Sequence, residues 1–123
     1  MPHHDVAALT LPANPESVRT ARRFVAERVS GCPADVAADA VLLTSELATN
    51  CVMHARTDFV LQVLVDPGGV RVEIADQDPD LPCLDDAGDH RGLVLVRDLA
   101  AEWGAERAED GRGKVVWFLV RGT

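Results

Sequence analysis

The sequence predicts an α+β domain: a two-layer sandwich in which a mostly antiparallel, mixed sheet carries helices on one face. Three observations predict it. Two stretches with helical spacing of apolar residues follow one another between residues 16 and 54. Short apolar runs flank them, two pairs being joined by the turn signals Asp66-Pro67-Gly68-Gly69 and Glu109-Asp110-Gly111-Arg112-Gly113. The resulting order, β-α-α-β-β-loop-α-β-β, groups strands apart from helices, which is the pattern of α+β proteins. With 123 residues, 47% of them hydrophobic, the chain is long enough to bury a core without disulfides or metal. Residues 1–123 are expected to form one domain.

The elements follow in order. Residues 5–11 (DVAALTL) suit an edge strand, which Pro12 to Pro15 break. From Glu16 to Val29, Val18, Ala21, Phe24, Val25 and Val29 recur at helical spacing, with Arg19, Arg22 and Arg23 mostly on the other side. Gly31, Cys32 and Pro33 end that helix, and Pro33 starts a second one running to about His54. Phe59 to Val65 and Val70 to Ala75 form a hairpin. Residues 77–91 are acidic and interrupted by Pro79 and Pro82, hence a loop. Leu93 to about Glu102 reads as a short amphipathic helix, Gly104 to Ala108 as a strand, and Lys114 to Val120 as the last strand. Trp103 and Trp117 are expected in the core.

Charge and cysteine content narrow the function classes. Twenty acidic against twelve basic residues give a net charge of −8. A chain this acidic lacks the basic face needed to hold nucleic acid or an anionic membrane. No run of apolar residues is expected to span a bilayer, and Met-Pro-His-His-Asp lacks the basic start of a secretory signal. Cys32, Cys51 and Cys83 are an odd, widely spaced set with no CxxC, which points to a reducing, cytoplasmic setting. Lys114 is the sole lysine.

Four groups of residues carry candidate chemistry. On the second helix, Glu46, Asn50, Met53 and His54 fall within about a quarter-turn of one another at helical spacing. Leu42 and Leu43 are expected on the same stripe. Asn is a poor helix-interior residue, so its place one turn after a glutamate asks for a role: Glu46 suits a general base, and Asn50 offers a hard oxygen to Mg²⁺. Asp76 closes the apolar run Val70, Val72, Ile74 and suits a carboxylate at a pocket floor. Asp76-Gln77-Asp78-Pro79-Asp80 is not a calcium loop, since Leu81 and Ala87 stand where glycine and glutamate are required. Arg91-Gly92-Leu93 leads into a helix, whose free N–H groups favour an anion. Gly113 and Lys114 would close the far side of the pocket.

Together these residues resemble the Bergerat-fold ATPases, the superfamily of gyrase, histidine kinases and mismatch-repair ATPases. Glu46-Leu-Ala-Thr-Asn50-Cys-Val-Met-His54-Ala looks like the N-box helix, and Val72-Glu-Ile-Ala-Asp76 sits where the family has its adenine-binding aspartate. Arg91-Gly92-Leu93-Val-Leu-Val96 looks like the second glycine box, and Gly113-Lys114-Val-Val-Trp117-Phe118 like the closing strand. The branch most resembled is the short anti-sigma-factor serine/threonine kinases and their actinobacterial relatives. The resemblance implies the Bergerat ATP-binding fold with ATP and Mg²⁺ as cofactors. Glu46 would be the catalytic base and Asn50 the Mg²⁺ ligand. His54, Asp76, Asp78, Arg91, Gly92, Leu93 and Lys114, with Asn50, would contact the nucleotide. The implied partners are a sigma factor and/or the antagonist protein whose serine is phosphorylated, with a second copy of the chain as a further candidate.

The chain departs from the family at one box. After Asp76 the family pattern is D-x-G-x-G, whereas here Asp78 and Asp80 flank Pro79. Two aspartates do not allow the close backbone approach that glycines give, and Asp78, Asp80, Asp85, Asp86 and Asp89 oppose a triphosphate. Val115 and Val116 stand where relatives often carry threonine. The alternative reading is therefore a non-catalytic protein-binding module of the same fold, with weak or no nucleotide binding.

Overall fold

Proline and asparagine set the first corner. In the computed structural model, which describes residues 5–78, 96 and 98–122, β1 (Asp5–Leu11) ends at Pro12, which has no N–H to continue a ladder. Asn14 caps α1 (Pro15–Arg28), its Oδ1 accepting from the Ser17 N–H at 3.2 Å, and Pro15 takes the first helical position. Ser17 is buried there because its hydroxyl donates to the Pro12 carbonyl at 2.6 Å. Ala21, Val25 and Val29 face the core while Arg19, Arg22 and Arg23 lie in solvent, as their spacing predicts.

The second helix, α2 (Ala34–Asn50), is followed by a π-helical turn, Cys51–Ala55, which ends at Arg56 in the left-handed region. The apolar periodicity predicts one regular helix to His54. The structure instead widens the last turn, with the Arg56 N–H reaching back five residues to the Cys51 carbonyl at 2.8 Å. Val36, Ala40, Leu43, Leu47, Ala48 and Cys51 are buried. Leu43 thus belongs to the core and not to the polar stripe, where only Leu42 remains exposed. Residues 34–55 are also long and apolar enough, by composition, to cross a bilayer, contrary to the expectation that no segment would be. Their apolar side packs on the sheet, which accounts for that composition within the fold.

The sheet runs β1-β2-β3-β5-β4, with β2 (Phe59–Asp66), β3 (Gly69–Asp76), β4 (Glu102–Arg107) and β5 (Lys114–Val120). All four pairings among the described residues are antiparallel, with no parallel pair of the expected mixed sheet among them. Both helices lie against one face, α1 on β2 and α2 on β3 and β5. Phe59, Leu61, Val63, Val70, Val72, Ile74, Val116, Phe118 and Val120 point into that layer. Each such side chain contributes roughly 1.5–3 kcal/mol on burial.

Two expectations at the far edge are corrected. The fourth strand starts at Glu102, before Gly104, since Trp103 and Glu102 already pair with Phe118 and Leu119. Gly104 lies inside the strand opposite Trp117, whose indole Nε1 would stand 2.6 Å from any Cβ there. Trp117 is not a core residue. It sits on the face opposite α1 and α2, where the Arg71 guanidinium stacks over its ring at 4.1 Å and Glu73 pairs with Arg71 at 2.8 Å. Trp103 does pack against the core.

Candidate functional site

The register of the central strands builds the site. In β3, Val70, Val72 and Ile74 point inward, and Asp76 continues that parity to the strand's end. In β5, Val116, Phe118 and Val120 point inward, and Lys114 begins that parity. Asp76 and Lys114 are register partners. A carboxylate and an ammonium are therefore delivered side by side to the core face, under the helix layer that includes α2. Their side chains are 3% and 11% exposed.

The pair is hydrogen-bonded on every side. Lys114 Nζ lies 3.1 Å from Asp76 Oδ1 and 3.1 Å from Oδ2, straddling the carboxylate. Oδ1 also accepts from the Asp78 N–H at 2.9 Å. Oδ2 accepts from Cys51 Sγ at 3.6 Å. Lys114 donates further to the Asp78 carbonyl at 3.3 Å, and the Asp78 carboxylate stands 3.9 Å away. Beside this cluster the Gln77 N–H donates to Thr57 Oγ1 at 3.0 Å, tying the exit of β3 to the entry of β2.

Cys51, the residue after Asn50, is the member that sequence reasoning missed. Burial pushes its thiol far above the ordinary cysteine range; the Asp76 charge and its hydrogen bond push the same way, and Lys114 opposes them. The thiol is therefore a fixed hydrogen donor, not a nucleophile. Iodoacetamide at pH 8 is expected to leave Cys51 unmodified in the folded protein and to label it once denaturant is added, as peptide mass spectrometry would show. Labelling at equal rates in both states would contradict the burial.

The remaining candidates divide into two groups. Glu46 and Asn50 sit one turn apart on α2, both half-buried, and neither side chain has a hydrogen-bond or ion-pair partner among the described residues. Met53 and His54 follow on the π turn and are exposed, Met53 at 59%. Arg91, Gly92 and Leu93 lie outside the described residues, as do Asp80, Cys83, Asp85, Asp86 and Asp89. The structure thus joins Asp76, Asp78 and Lys114 in one cluster that reaches α2 through Cys51. Among the described residues, neither Glu46 nor Asn50 makes a hydrogen bond or ion pair with that cluster.

Residues 11–120 match the family of histidine kinase-like ATPase domains, and the chain belongs to that family. Among solved structures it is similar to the RsbU and RsbW domains of Rv1364c from Mycobacterium tuberculosis, with a TM-score of 0.76 and 22% identity. The match covers 95% of this chain and 32% of that one, so the chain spans about a third of that protein's length. This likeness shows the Bergerat fold. No curated protein sequence matches the chain.

The residues present fit a magnesium nucleotide at one end and not at the other. Glu46 and Asn50 offer oxygens that no other described residue engages, and Mg²⁺ needs only one or two protein ligands beside phosphate oxygens and water. At the base end the Asp76 carboxylate is already engaged by Lys114, the Asp78 N–H and Cys51.

Proposed function

We propose that the chain is an ATP-binding, anti-sigma-factor-like serine/threonine protein kinase acting on a small antagonist protein, with a sigma factor as its other partner. The observation that carries this reading is the pair Glu46 and Asn50. They are two half-buried polar side chains, one turn apart on α2, held by no partner among the described residues, in a chain of the ATPase-domain family. Bound ATP would supply the phosphoryl group, its charge neutralised by Mg²⁺. Glu46 would accept the proton of the substrate hydroxyl, and Asn50 Oδ1 would ligate the metal. Asp76 would face the base, Asp78 and Lys114 would lie beside it, and His54, Arg91, Gly92 and Leu93 would line the rest of the nucleotide path. Because such catalysis is mostly positioning, losing the base removes about two to four orders of magnitude of rate.

The test is calorimetric titration of Mg²⁺·ATP into wild type and Asn50→Ala, followed by phosphotransfer assays on candidate antagonist proteins with Glu46→Ala as control. Binding that Asn50→Ala weakens, and transfer that Glu46→Ala abolishes, are the expected results. Transfer that survives Glu46→Ala intact would remove the base assignment.

One observation favours a second reading, a non-catalytic protein-binding module of the same fold. The carboxylate assigned to the base is engaged internally. Stoichiometric capture of a partner that ignores ATP would support that reading, and release of the partner by ATP would count against it.

A further inference from the structure

We infer that Lys114 is an internal competitor for the base subsite: its ammonium holds Asp76 in the ligand-free protein, and a nucleoside must displace it to bind. The inference rests on the nucleotide-binding reading above and concerns the affinity and specificity of that same site.

A carboxylate accepts about four hydrogen bonds. On Asp76, Oδ1 accepts from Lys114 Nζ and the Asp78 N–H, and Oδ2 accepts from Cys51 Sγ with the Lys114 ammonium 3.1 Å away. The ammonium, 3.1 Å from both oxygens, thus occupies the approach that the exocyclic amino group of an adenine would need. The other two donors cannot easily yield. The Asp78 N–H is backbone two residues on, and the Cys51 thiol is buried just past the end of α2, with Asp76 its one acceptor among the described residues. Lys114 can yield, because a four-carbon stem lets its ammonium swing and it has the Asp78 carboxylate at 3.9 Å as a second place to go. Its binding competitor is thus built in, and the apparent affinity for a nucleoside falls by the fraction of molecules in which the pair is open.

The sign of the effect is unusual, which makes it testable. A lysine that helped to hold a triphosphate would weaken binding when removed. A lysine that occupies the acceptor strengthens it. Lys114→Met keeps most of the side-chain volume and removes the donor. Its affinity for adenosine and for Mg²⁺·ATP, measured by calorimetry on the full chain, is expected to rise at least about tenfold, as when a pair open in about one molecule in ten becomes fully open. Adenosine isolates the base, since it carries no phosphate to meet the aspartates that follow Asp76.

A second measurement needs no variant. In protein made with isotope-labelled lysine, Lys114 supplies the only lysine side-chain signal. That signal is expected to shift or broaden as adenosine is added. If wild type binds adenosine while Lys114→Met binds it equally or more weakly, or while the Lys114 signal stays fixed at saturation, the inference fails and nucleotide binding stands. If neither adenosine nor Mg²⁺·ATP binds wild type or variant at millimolar concentration, both the inference and the nucleotide reading fail.

Discussion

Replacing Asp76 by alanine is expected to lower folding stability by about 3 kcal/mol, because it leaves the Lys114 ammonium, 11% exposed, with only the Asp78 carboxylate at 3.9 Å and the Asp78 carbonyl at 3.3 Å. The Asp78 N–H and the Cys51 thiol lose their acceptor at the same time. Urea denaturation read by circular dichroism would measure the loss, with an unchanged slope showing that stability alone has moved. The pair itself is worth less than this figure. Desolvating two charges offsets most of their attraction, so the double variant Asp76→Asn with Lys114→Met is expected to recover most of the lost stability. A loss below about 1 kcal/mol for Asp76→Ala would place the pair with ordinary surface ion pairs, and the ammonium would have to reach water.

That pair also shows how far the site was legible in the sequence. Asp76 stands out in the sequence because it terminates an apolar strand, and Lys114 because it opens one. Their contact follows from two further facts: both fall on the inward parity of their strands, and β3 and β5 are neighbours. The parity was readable. The adjacency was not, since it depends on β5 inserting between β3 and β4, a pairing set by the whole sheet. The same limit explains Trp117. In Val115-Val-Trp-Phe-Leu-Val120 every residue is apolar, so alternation alone does not say which set faces the helices. The deciding signal lies on the next strand, where Arg71 and Glu73 mark the outward parity and Glu73 pairs with Trp117.

On α2 the helical period placed Glu46 and Asn50 together correctly but carried Leu43 with them. A stripe drawn at ideal spacing is narrower than the surface a helix buries when it packs on β3 and β5 and against α1. The π turn was invisible for a different reason. An i→i+5 turn has no propensity signature of its own, and its stop at Arg56 requires a left-handed residue that is not glycine. Its consequence is local: Cys51 turns in to Asp76 while Met53 and His54 turn out to solvent.

Gly113→Ala is expected to reduce stability by about 3 kcal/mol, the upper end of the overpacking range, and to open the same cluster. A Cβ on Gly113 would stand 2.0 Å from the Asp76 carbonyl oxygen, 3.0 Å from its carbonyl carbon and 3.1 Å from Gln77 Cα. All three atoms are backbone, so no side-chain rotation relieves the contact. The start of β5 must back away from the end of β3, and Lys114 is the next residue, so its bond to Asp76 moves with it. Gly31→Ala serves as control: its Cβ meets nothing within 4 Å, and its effect should stay within about 0.5 kcal/mol. Thermal unfolding would separate the two, with a fall of about 10 °C expected for Gly113→Ala. A melting point equal to that of Gly31→Ala would mean that β5 can retreat freely. The close approach of the two strands would then not be what holds the ammonium against the carboxylate.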